Sequence, residues 1–299
     1  MKFNISLDVG GTSIKVGVFD YQGNLIKKYD VKTNVSIKDE KSVLKQIIEI
    51  INKEKKQYVL SHIGIGVPGP VSNGVLLGAY NLHMNKVNLL HLIRQEFPDL
   101  NVTVMNDANA ACLGEVKYGS GKGYKNVCLV TIGTGIGCGV VVNGKVIEGV
   151  SGAAGELGHI CVEHDNGLLC KCGKTGCLEK YASASAIRSY GKYLYNKYNI
   201  TDHKYEVKNM FEDYLDGFKP SIEVINRSLY YLAIGLSNIA NIINPDVIIL
   251  GGGVSKAEEV VLQTVKFYFK QFVFKDSGNT PIVIAKLHND AGIYGLSEI

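Results

Sequence analysis

Apolar positions along the chain first predict two hairpins of similar design, each with a glycine turn. Residues Leu7–Ile26 read as an apolar strand, a Gly/Thr turn, a second strand, a Gln-Gly-Asn turn and a third strand. Residues Val130–Ile147 repeat this order, and Asn143-Gly144 between Val-rich runs is a strong hairpin signal. The repeat predicts that the chain consists of two related halves.

The rest of the pattern alternates strands with helices. Val247–Leu250 is a continuous apolar and β-branched run, which is typical of a strand buried on both faces. Lys41–Lys55 and Ser221–Ile243 carry apolar residues at helical spacing and therefore predict helices. This alternation predicts an α/β protein. Residues 201–219 are polar and aromatic-rich, and their pattern predicts neither a definite element nor a role.

Composition and charge are those of an ordinary globular enzyme. The chain has 299 residues, of which 46% are hydrophobic and 20% charged, enough for two domains or one large α/β domain. Its net charge of +4 comes with scattered lysines, so we expect no nucleic-acid partner. The first residues contain no apolar signal segment, and no apolar run approaches the ~18 residues of a membrane span. Because the seven cysteines include several isolated ones, we expect a reducing compartment and a cytoplasmic protein without a membrane partner.

Both glycine turns have the chemistry of a phosphate site. Their glycines let the backbone approach a ligand closely, successive amides form an anion nest, and Thr hydroxyls add donors. Either turn alone is equally typical of an ordinary hairpin, but the matching pair favours phosphate binding. The turn residues are Gly10, Gly11 and Thr12 in the first hairpin and Gly133, Thr134 and Gly135 in the second.

Two other nucleotide-binding motifs do not fit the sequence. A Rossmann fingerprint opens a helix, whereas Gly133–Gly139 continues into the strand-like run VVVNGKVI. A Walker loop needs a glycine five residues before the Gly-Lys-Thr of Gly173–Thr175, and Leu168 stands there.

Two aspartates follow predicted strands and are candidates for phosphoryl-transfer chemistry. Asp8 lies just before the first glycine turn, where it could hold Mg²⁺ through water or cap the turn. Asp107 lies between a strand ending at Met105 and an Ala-rich helix. It could accept the proton of an attacking sugar hydroxyl or serve as the helix N-cap. Asn106 beside it could orient a hydroxyl or stabilise the turn.

Three cysteines within CKCGKTGCLE, residues 170–179, predict a metal site. Cys170 and Cys172 are too close for an unstrained disulfide, and the segment lacks the C-x-x-C of a redox pair. Together with Cys177 they suit tetrahedral Zn²⁺ that lacks one ligand, and three incidental buried thiols are the alternative. The candidates for the fourth ligand are His159, Cys161 and His164.

Two glutamates adjoin the cysteines. Glu156 and His159 are spaced to share a face if their segment is helical, and Glu179 closely follows Cys177. A metal that draws His159 to the cysteines would also bring the two carboxylates together. Converging carboxylates accept hydrogen bonds from polyol hydroxyls, so the segment indicates a sugar pocket, although each glutamate alone is equally typical of a surface charge.

The motifs together resemble the ROK family of bacterial sugar kinases and repressors. The segments that carry the resemblance are, in order, LDVGGTSIKVGVFD, GIGVPGPV, NDANAACLGE, TIGTGIGCGVV and GELGHICVEHDNGLLCKCGKTGCLEKYAS. The resemblance extends to the closing NDAGIYGLSEI, and Gly78–Leu82 is similar to the GAxNL segment of ROK glucokinases.

The resemblance implies a two-domain actin/hexokinase-like (ribonuclease H-like) ATPase fold with the active site in the interdomain cleft. It implies a small α/β domain of residues 1–116 plus 289–299 and a large α/β domain of residues 117–288 that contains the zinc loop. It also implies a homodimer or homotetramer, with ATP and Mg²⁺ as cofactors and Zn²⁺ in a structural role.

The resemblance further implies roles for individual residues. Asp107 is expected to be the catalytic base, and one ring nitrogen of His159 is expected to face the metal while the other faces the sugar. The expected sugar-binding residues are Gly69, Asn81, Asn106, Glu156, His159 and Glu179. The expected ATP-binding residues are Asp8, Gly10, Gly11, Thr12, Lys15, Gly133, Thr134, Gly135, Gly252 and Gly253. The expected zinc ligands are His159, Cys170, Cys172 and Cys177.

The activity implied by the resemblance is transfer of the γ-phosphate of ATP to the 6-hydroxyl of glucose. ROK glucokinases usually carry a Trp shortly after their Asn-Leu pair, whereas this chain has His83 and Met84 there and no Trp. N-acetylmannosamine, N-acetylglucosamine, allose and β-glucosides are therefore the alternative sugars. A sugar-sensing ROK regulator is the alternative of another class. We expect the kinase because no basic DNA-binding module precedes the first glycine turn.

Overall fold

A computed structural model describes residues 2–36 and 41–297 of the chain. Its strands, in chain order, are β1 (Phe3–Val9), β2 (Ser13–Asp20), β3 (Leu25–Lys32), β4 (Leu60–Val67), β5 (Val71–Ser72), β6 (Val75–Ala79), β7 (Met84–Asn88), β8 (Asn101–Asn106), β9 (Val127–Ile132), β10 (Ile136–Val142), β11 (Lys145–Val146), β12 (Val247–Gly251) and β13 (Ile282–Ile284). Its helices are α1 (Ser42–Lys55), α2 (Leu89–Glu96), α3 (Asp107–Tyr118), α4 (Glu179–Ala182), α5 (Ala184–Lys197), α6 (Val207–Leu215), α7 (Lys219–Ile243), α8 (Glu258–Phe272) and α9 (Ala291–Leu296). Within the described ranges, none of the helices has both the length and the apolar character needed to cross a membrane.

The described residues fold into two compact units. The first unit is formed by residues from 1–123, 139–155 and 286–299, and the second by residues 124–138 and 156–285. The small domain expected from the resemblance lies within the first unit, which also takes in residues 139–155. The domain boundaries themselves, 1–116 plus 289–299 and 117–288, stay a prediction.

The first unit contains a five-stranded mixed sheet with the strand order β3-β2-β1-β4-β8. Strand β1 is antiparallel to β2 and parallel to β4, and β8 extends the parallel part. Most residues of β4 are buried, as expected for a strand covered on both faces. Because β1, β4 and β8 run in the same direction, their carboxyl ends meet at one edge of the sheet. Asp8 pairs with Gly66 at this edge, and Val67 pairs with Asn106.

Helix α9 packs closely against α3 and β1 in the first unit. A Cβ atom on Gly114 would lie 2.1 Å from the carbonyl oxygen of Ala291, so only glycine fits at this point of α3. A Cβ on Gly292 would lie 2.9 Å from an Asp8 carboxylate oxygen. The close contacts of α9 therefore help to bury the carboxylate at the end of β1.

The second unit is built around β12, all of whose residues are buried. Strand β12 is parallel to β9 on one side and to β13 on the other. Strand β10 lies beside β9, with its first residues, 136–138, in this unit. Helix α7 has a proline in its first turn, and Asn244, the C-cap directly after its last residue, has the left-handed conformation (φ 47°). Both features are typical helix-terminus signals.

The pattern-based element predictions agree with the structure. The predicted helices 41–55 and 221–243 correspond to α1 and α7, and the predicted strand 247–250 corresponds to β12. Residues 201–219, for which the pattern predicts no element, contain α6. In this segment the ring of His203 stacks on Phe218, with the ring centroids 3.9 Å apart.

Candidate functional site

The first glycine turn joins β1 to β2 and is held by hydrogen bonds from the protein. The Gly10 amide donates to the Ser13 carbonyl over 2.9 Å. Thr33, just after β3, donates its hydroxyl to the Gly10 carbonyl (2.6 Å) and its amide to the Thr12 carbonyl (3.0 Å). Gly11 and Thr12 are exposed. The turn therefore has a fixed shape and an exposed tip, as an anion-binding turn requires.

The second glycine turn joins β9 to β10 and has a similar internal hydrogen bond. The Gly133 amide donates to the Gly135 carbonyl over 3.0 Å. The amide of Ala184, at the start of α5, donates to the Gly133 carbonyl over 2.9 Å. Thr134 at the tip is exposed. Both hairpins that the sequence relates to each other thus have a three-residue turn closed by a backbone hydrogen bond, from Gly10 to Ser13 in the first and from Gly133 to Gly135 in the second.

The glycine pair after β12 lies beside the second glycine turn. Gly252 has a φ of 86°, and a Cβ atom there would lie 2.5 Å from the carbonyl oxygen of Ile132. Only glycine fits this position, since both the backbone conformation and the close approach exclude a side chain. Gly253 is exposed, and a Cβ atom there would meet nothing within 4 Å. Because Ile132 directly precedes Gly133, this contact places Gly252 and Gly253 next to the second glycine turn.

Asp8 is a half-buried carboxylate with a raised pKa. Burial raises the pKa of Asp8 to about 6, the negative charge of Asp107 adds to this rise, and Lys15 opposes it. Lys15 pairs with Asp8 across β1 and β2, but its ammonium donates to Asp290 Oδ1 (2.9 Å) and to the Asn289 carbonyl. A positive charge placed near Asp8 would therefore favour the ionised form of its carboxyl.

Asp107 is the first residue of α3, and the N-cap is the residue before it. Asn106 Oδ1 accepts the amides of Ala108 (2.9 Å) and Asn109 (3.1 Å). One oxygen of Asp107 accepts the same Ala108 amide over 2.8 Å. The structure thus answers one question that the sequence leaves open, because the capping role belongs to Asn106.

Asn106 and Asn81 contact different parts of the first unit. Asn106 Nδ2 donates to the carbonyl of Gly69 over 3.1 Å. Gly69 has a φ of 95°, and a Cβ atom there would lie 2.1 Å from the Gly78 carbonyl oxygen. Asn81 is exposed, and a Cβ atom on Gly11 would lie 3.1 Å from its Cβ. The structure therefore brings Asn106 to Gly69, and Asn81 to the first glycine turn.

In the second unit, four predicted metal ligands form one group. One ligand atom from each of His159, Cys170, Cys172 and Cys177 lies within 4.8 Å of the others. His159 Nδ1 is 3.7 Å from Cys170 Sγ, and the sulfurs of Cys172 and Cys177 are 3.6 Å apart. Tetrahedral zinc, with bonds of about 2.3 Å to sulfur and 2.0–2.1 Å to nitrogen, places its ligand atoms roughly 3.5–3.8 Å apart. The donor set and its spacing therefore fit Zn²⁺.

The structure favours His159 among the three candidates for the fourth ligand. In the part of the chain that the structure describes, Cys161 and His164 lie outside the ligand group. They contact each other instead, with Sγ and Nδ1 3.6 Å apart.

Glu156 and Glu179 both adjoin the metal-ligand group. His159 Nε2 is 3.8 Å from Glu156 Oε2, so the two ring nitrogens face the carboxylate and the sulfurs respectively. This is the orientation that a double role of His159 needs. Glu179 Oε1 accepts a hydrogen bond from the Cys170 thiol over 3.1 Å. A Cβ atom on Gly135 would lie 2.9 Å from the other Glu179 oxygen, so this carboxylate also adjoins the second glycine turn.

Several contacts around this group could not be predicted from motifs. The hydroxyl of Tyr231 donates to Glu163 over 2.9 Å, and the Leu168 amide donates to the hydroxyl of Tyr181 over 2.7 Å. Arg227 lies 5.2 Å from the ring centroids of both tyrosines. The sequence signal for these contacts is the concentration of tyrosines in residues 181–198 and 230–231. It does not indicate which side chains contact each other.

Comparisons with known proteins place the chain beside both kinases and regulators. The ROK family profile matches residues 4–299. A glucokinase of Halalkalibacterium halodurans is 36% identical, over 98% of this chain and 93% of its own. The crystal structure of a ROK family glucokinase from Streptomyces griseus in complex with glucose and AMPPNP has a TM-score of 0.82 and 30% identity, covering 99% of this chain and 98% of that one. A xylose repressor of Bacillus spizizenii is 31% identical, over 99% of this chain and 76% of the repressor.

Proposed function

The chain belongs to the ROK family, whose profile matches residues 4–299, and we propose that it is an ATP-dependent sugar kinase. The proposed reaction transfers the γ-phosphate of ATP to the 6-hydroxyl of glucose. Support comes from the similarity to glucokinases of Halalkalibacterium halodurans and Thermotoga maritima over nearly the whole chain. The similarity to a glucokinase crystallised with glucose and AMPPNP gives further support.

The observation that carries the proposal is the placement of Asp8 and Asp107, each of which adjoins a strand end at one edge of the first sheet, where the charge of Asp107 helps to raise the pKa of Asp8. Phosphoryl transfer to a sugar uses one carboxylate to accept the hydroxyl proton and Mg²⁺ to neutralise the phosphate charge. We assign the proton to Asp107. We assign Mg²⁺ to Asp8, through water, since a divalent cation offsets the raised pKa of this carboxyl.

We assign ATP binding to the two glycine turns and to the glycine pair after β12. The exposed turn tips offer backbone amides and Thr hydroxyls to phosphate oxygens. Lys15 takes part if its ammonium exchanges the Asp290 carboxylate for a phosphate. Besides Asp8 and Lys15, the assigned residues are Gly10, Gly11, Thr12, Gly133, Thr134, Gly135, Gly252 and Gly253.

We assign sugar binding to amides, carboxylates and one imidazole. Asn81 and Glu156 are exposed and offer amide and carboxylate groups to hydroxyls. Asn106 has a second Nδ2 proton for a hydroxyl oxygen while it caps α3 and holds Gly69. The assigned residues are Gly69, Asn81, Asn106, Glu156, His159 and Glu179.

We assign a structural Zn²⁺ to His159, Cys170, Cys172 and Cys177. When bound, the ion fixes the position and tautomer of His159 through Nδ1. The imidazole then keeps Nε2 on the side of Glu156. The cysteines hold the residues before Glu179 in place, which keeps the neighbouring carboxylate near Gly135.

Other sugars keep the same chemistry and differ in the pocket. N-acetylmannosamine, N-acetylglucosamine, allose and β-glucosides are the alternatives, because this chain has His83 where ROK glucokinases usually carry Trp after the Asn-Leu pair. His83 is exposed and has a φ of 51°. We further propose that the enzyme acts in the cytoplasm as a homodimer or homotetramer.

The proposal is tested by sugar-dependent release of ADP from Mg·ATP across glucose, mannose, allose, N-acetylmannosamine, N-acetylglucosamine and cellobiose. We expect turnover with glucose and a loss of roughly a hundredfold to ten-thousandfold in kcat for Asp107→Asn, because the base is removed. Asp99→Asn, at an exposed aspartate outside the assigned site, is the matched control and should keep wild-type activity. Bound zinc should be unchanged in both variants.

Two outcomes would contradict the proposal. Substantial activity in Asp107→Asn would contradict the assignment of Asp107 as the catalytic base. If none of the sugars supported ADP release by the folded, zinc-loaded protein, the kinase proposal would fail. Tight sugar binding by calorimetry in the same sample would then favour the sugar-sensing regulator.

A further inference from the structure

Two tyrosines anchor the cysteine loop, which we define as residues 160–178. Tyr231 on α7 donates its hydroxyl to Glu163 Oε2 over 2.9 Å. Tyr181 on α4 accepts the Leu168 amide at its hydroxyl over 2.7 Å. Both contacts lie in the part of the loop that leads to Cys170. This part of the loop has no helix or named strand of its own. Backbone hydrogen bonds join it to the returning part of the loop, from the Val162 amide to the Gly176 carbonyl (2.8 Å) and from the Gly176 amide to the Leu168 carbonyl (3.0 Å). The two tyrosine hydroxyls in turn tie it to α4 and α7.

Arg227 lies at the centre of these anchors. It precedes Tyr231 by one helical turn on α7, and its guanidinium is 5.2 Å from the ring centroid of Tyr231 and 5.2 Å from that of Tyr181. A third ring, that of Tyr190 on α5, is closer, at 4.3 Å. We call Tyr181, Tyr190 and Tyr231 the tyrosine cage. One guanidinium thus contacts aromatic rings from α4, α5 and α7.

The cage is also connected by ring contacts and hydrogen bonds. The rings of Tyr181 and Tyr231 lie 4.5 Å apart with their planes at 35°. Tyr190 donates its hydroxyl to Glu223 over 2.9 Å. Two of the three hydroxyls therefore donate to carboxylates, while their ring faces contact the cation. Each of these two tyrosines therefore has a hydrogen bond at its hydroxyl and a cation–π contact at its ring face.

The Tyr231 hydroxyl remains a hydrogen-bond donor at ordinary pH. Burial raises its pKa to about 12, and the hydrogen bond to Glu163 adds to the rise. The Tyr231 hydroxyl can therefore donate to the cysteine loop throughout the neutral pH range.

We propose that Arg227 is a positioning residue for the metal site, because it fixes the cage rings whose hydroxyls hold the cysteine loop. With Tyr181 and Tyr231 fixed, Glu163 and Leu168 are fixed, and Cys170 stays at ligand distance from His159. Tyr181 also belongs to the same short helix as Glu179, so the cage fixes this carboxylate as well. The inference rests on the zinc ligands assigned above, and its test requires neither ATP nor sugar.

The test measures the rate at which zinc-loaded protein releases its metal to a chromogenic chelator. We expect Arg227→Met to release zinc about tenfold faster, because it removes the cation–π contacts of the guanidinium with all three cage rings. Arg227→Lys keeps the charge without the planar guanidinium and should lie between wild type and Arg227→Met. Tyr231→Phe keeps the ring but loses the hydroxyl and should also release zinc faster.

Two matched controls separate this effect from a general loss of packing. Arg188 on α5 pairs with Glu206 over 3.1 Å, outside the cage, and Arg188→Met should release zinc at the wild-type rate. Tyr230 neighbours Tyr231 on α7, and its ring packs edge-to-face on Tyr231 as well as on Tyr268 and Phe272. Tyr230→Phe keeps these ring contacts and should therefore also release zinc at the wild-type rate.

Several results would overturn the inference. These are unchanged zinc release in Arg227→Met and Tyr231→Phe, equal acceleration in the control variants, or a protein that takes up no zinc on reconstitution. Acceleration that merely follows the rate of global unfolding, measured in the same buffer by circular dichroism, would show that the cage only packs helices. The inactive Asp107→Asn variant should release zinc at the wild-type rate, so failure of the kinase proposal and failure of this one are distinguishable.

Discussion

One carboxylate oxygen of Glu179 lies 3.1 Å from the sulfur of Cys170. The other lies beside the second glycine turn, where a Cβ atom on Gly135 would approach it to 2.9 Å. A single side chain therefore touches both the proposed zinc site and the proposed phosphate turn. This contact makes position 135 sensitive to even a methyl group, because the methyl displaces either the carboxylate or the turn.

Gly135→Ala should weaken sugar binding. The added methyl moves Glu179, so we expect the KM for the sugar to rise on the order of tenfold to a hundredfold, as for other small displacements of binding groups. Steady-state kinetics at saturating ATP measures this change, and zinc content is determined on the same samples.

The control for this variant is Gly278→Ala. A Cβ atom on Gly278 would lie 3.5 Å from Val273, an ordinary van der Waals contact, so its kinetics should match wild type. A wild-type KM for sugar in Gly135→Ala would show that Glu179 does not bind the sugar from its position beside the turn.

The sequence identifies the local features of the site better than their partners. The glycine turns and the cysteine cluster are visible because turn chemistry and ligand spacing are local properties of the chain. The choice of His159 over Cys161 and His164 is different. It depends on how the loop folds back on itself, which spacing alone does not determine.

Roles shared by neighbouring residues are equally hard to predict. Asn106 and Asp107 are both good N-cap residues, and only the structure shows that helix α3 begins at Asp107 and is capped by Asn106. Arg227 carries no motif at all. Its role depends on the meeting of three helices, so no sequence period could indicate it.

Asn106→Ala should destabilise the protein through loss of the α3 cap. The side chain accepts two amides of the first turn and donates to Gly69, so we expect a loss of about 1–2 kcal/mol in the free energy of unfolding. Urea titration measures this difference. Asn106→Ser keeps a capping oxygen and should recover most of the stability. Equal losses in both variants would show that the bond to Gly69, rather than the cap, carries the effect.

Glu115 should contribute strongly to stability because it is a fully buried carboxylate with several amide partners. Its oxygens accept the amides of Ser120 (2.8 Å), Lys286 (3.1 Å) and Leu287 (2.7 Å). In Glu115→Gln one of the two acceptor oxygens becomes an NH₂ group, which leaves at least one of these buried amides facing a donor, so we expect a loss of roughly 2–4 kcal/mol. Urea titration of Glu115→Gln beside Glu96→Gln, at an exposed position, measures it. If the two variants were equally stable, the amides would have found other acceptors.

Stability should fall between neutral and mildly acidic pH because His62 is buried. Its Nε2 is 3.0 Å from the Thr103 hydroxyl, and burial lowers the pKa of the imidazole from 6.5 to about 4. The unfolded chain therefore binds a proton at a higher pH than the folded chain does. The contribution of neutral His62 is complete above about pH 6.5 and is lost as the pH falls towards 4.

The expected size of this effect is roughly 2 kcal/mol between pH 7 and pH 5, from the shift in pKa. Urea titrations at both pH values should show that His62→Gln loses less stability on acidification than wild type does, by about that amount. His91→Gln, at an exposed histidine, should behave like wild type. The imidazole resonances of wild-type His62 should not titrate above pH 5 in NMR spectra. A midpoint near 6.5 would mean that the ring is solvated, and the predicted pH dependence would be absent.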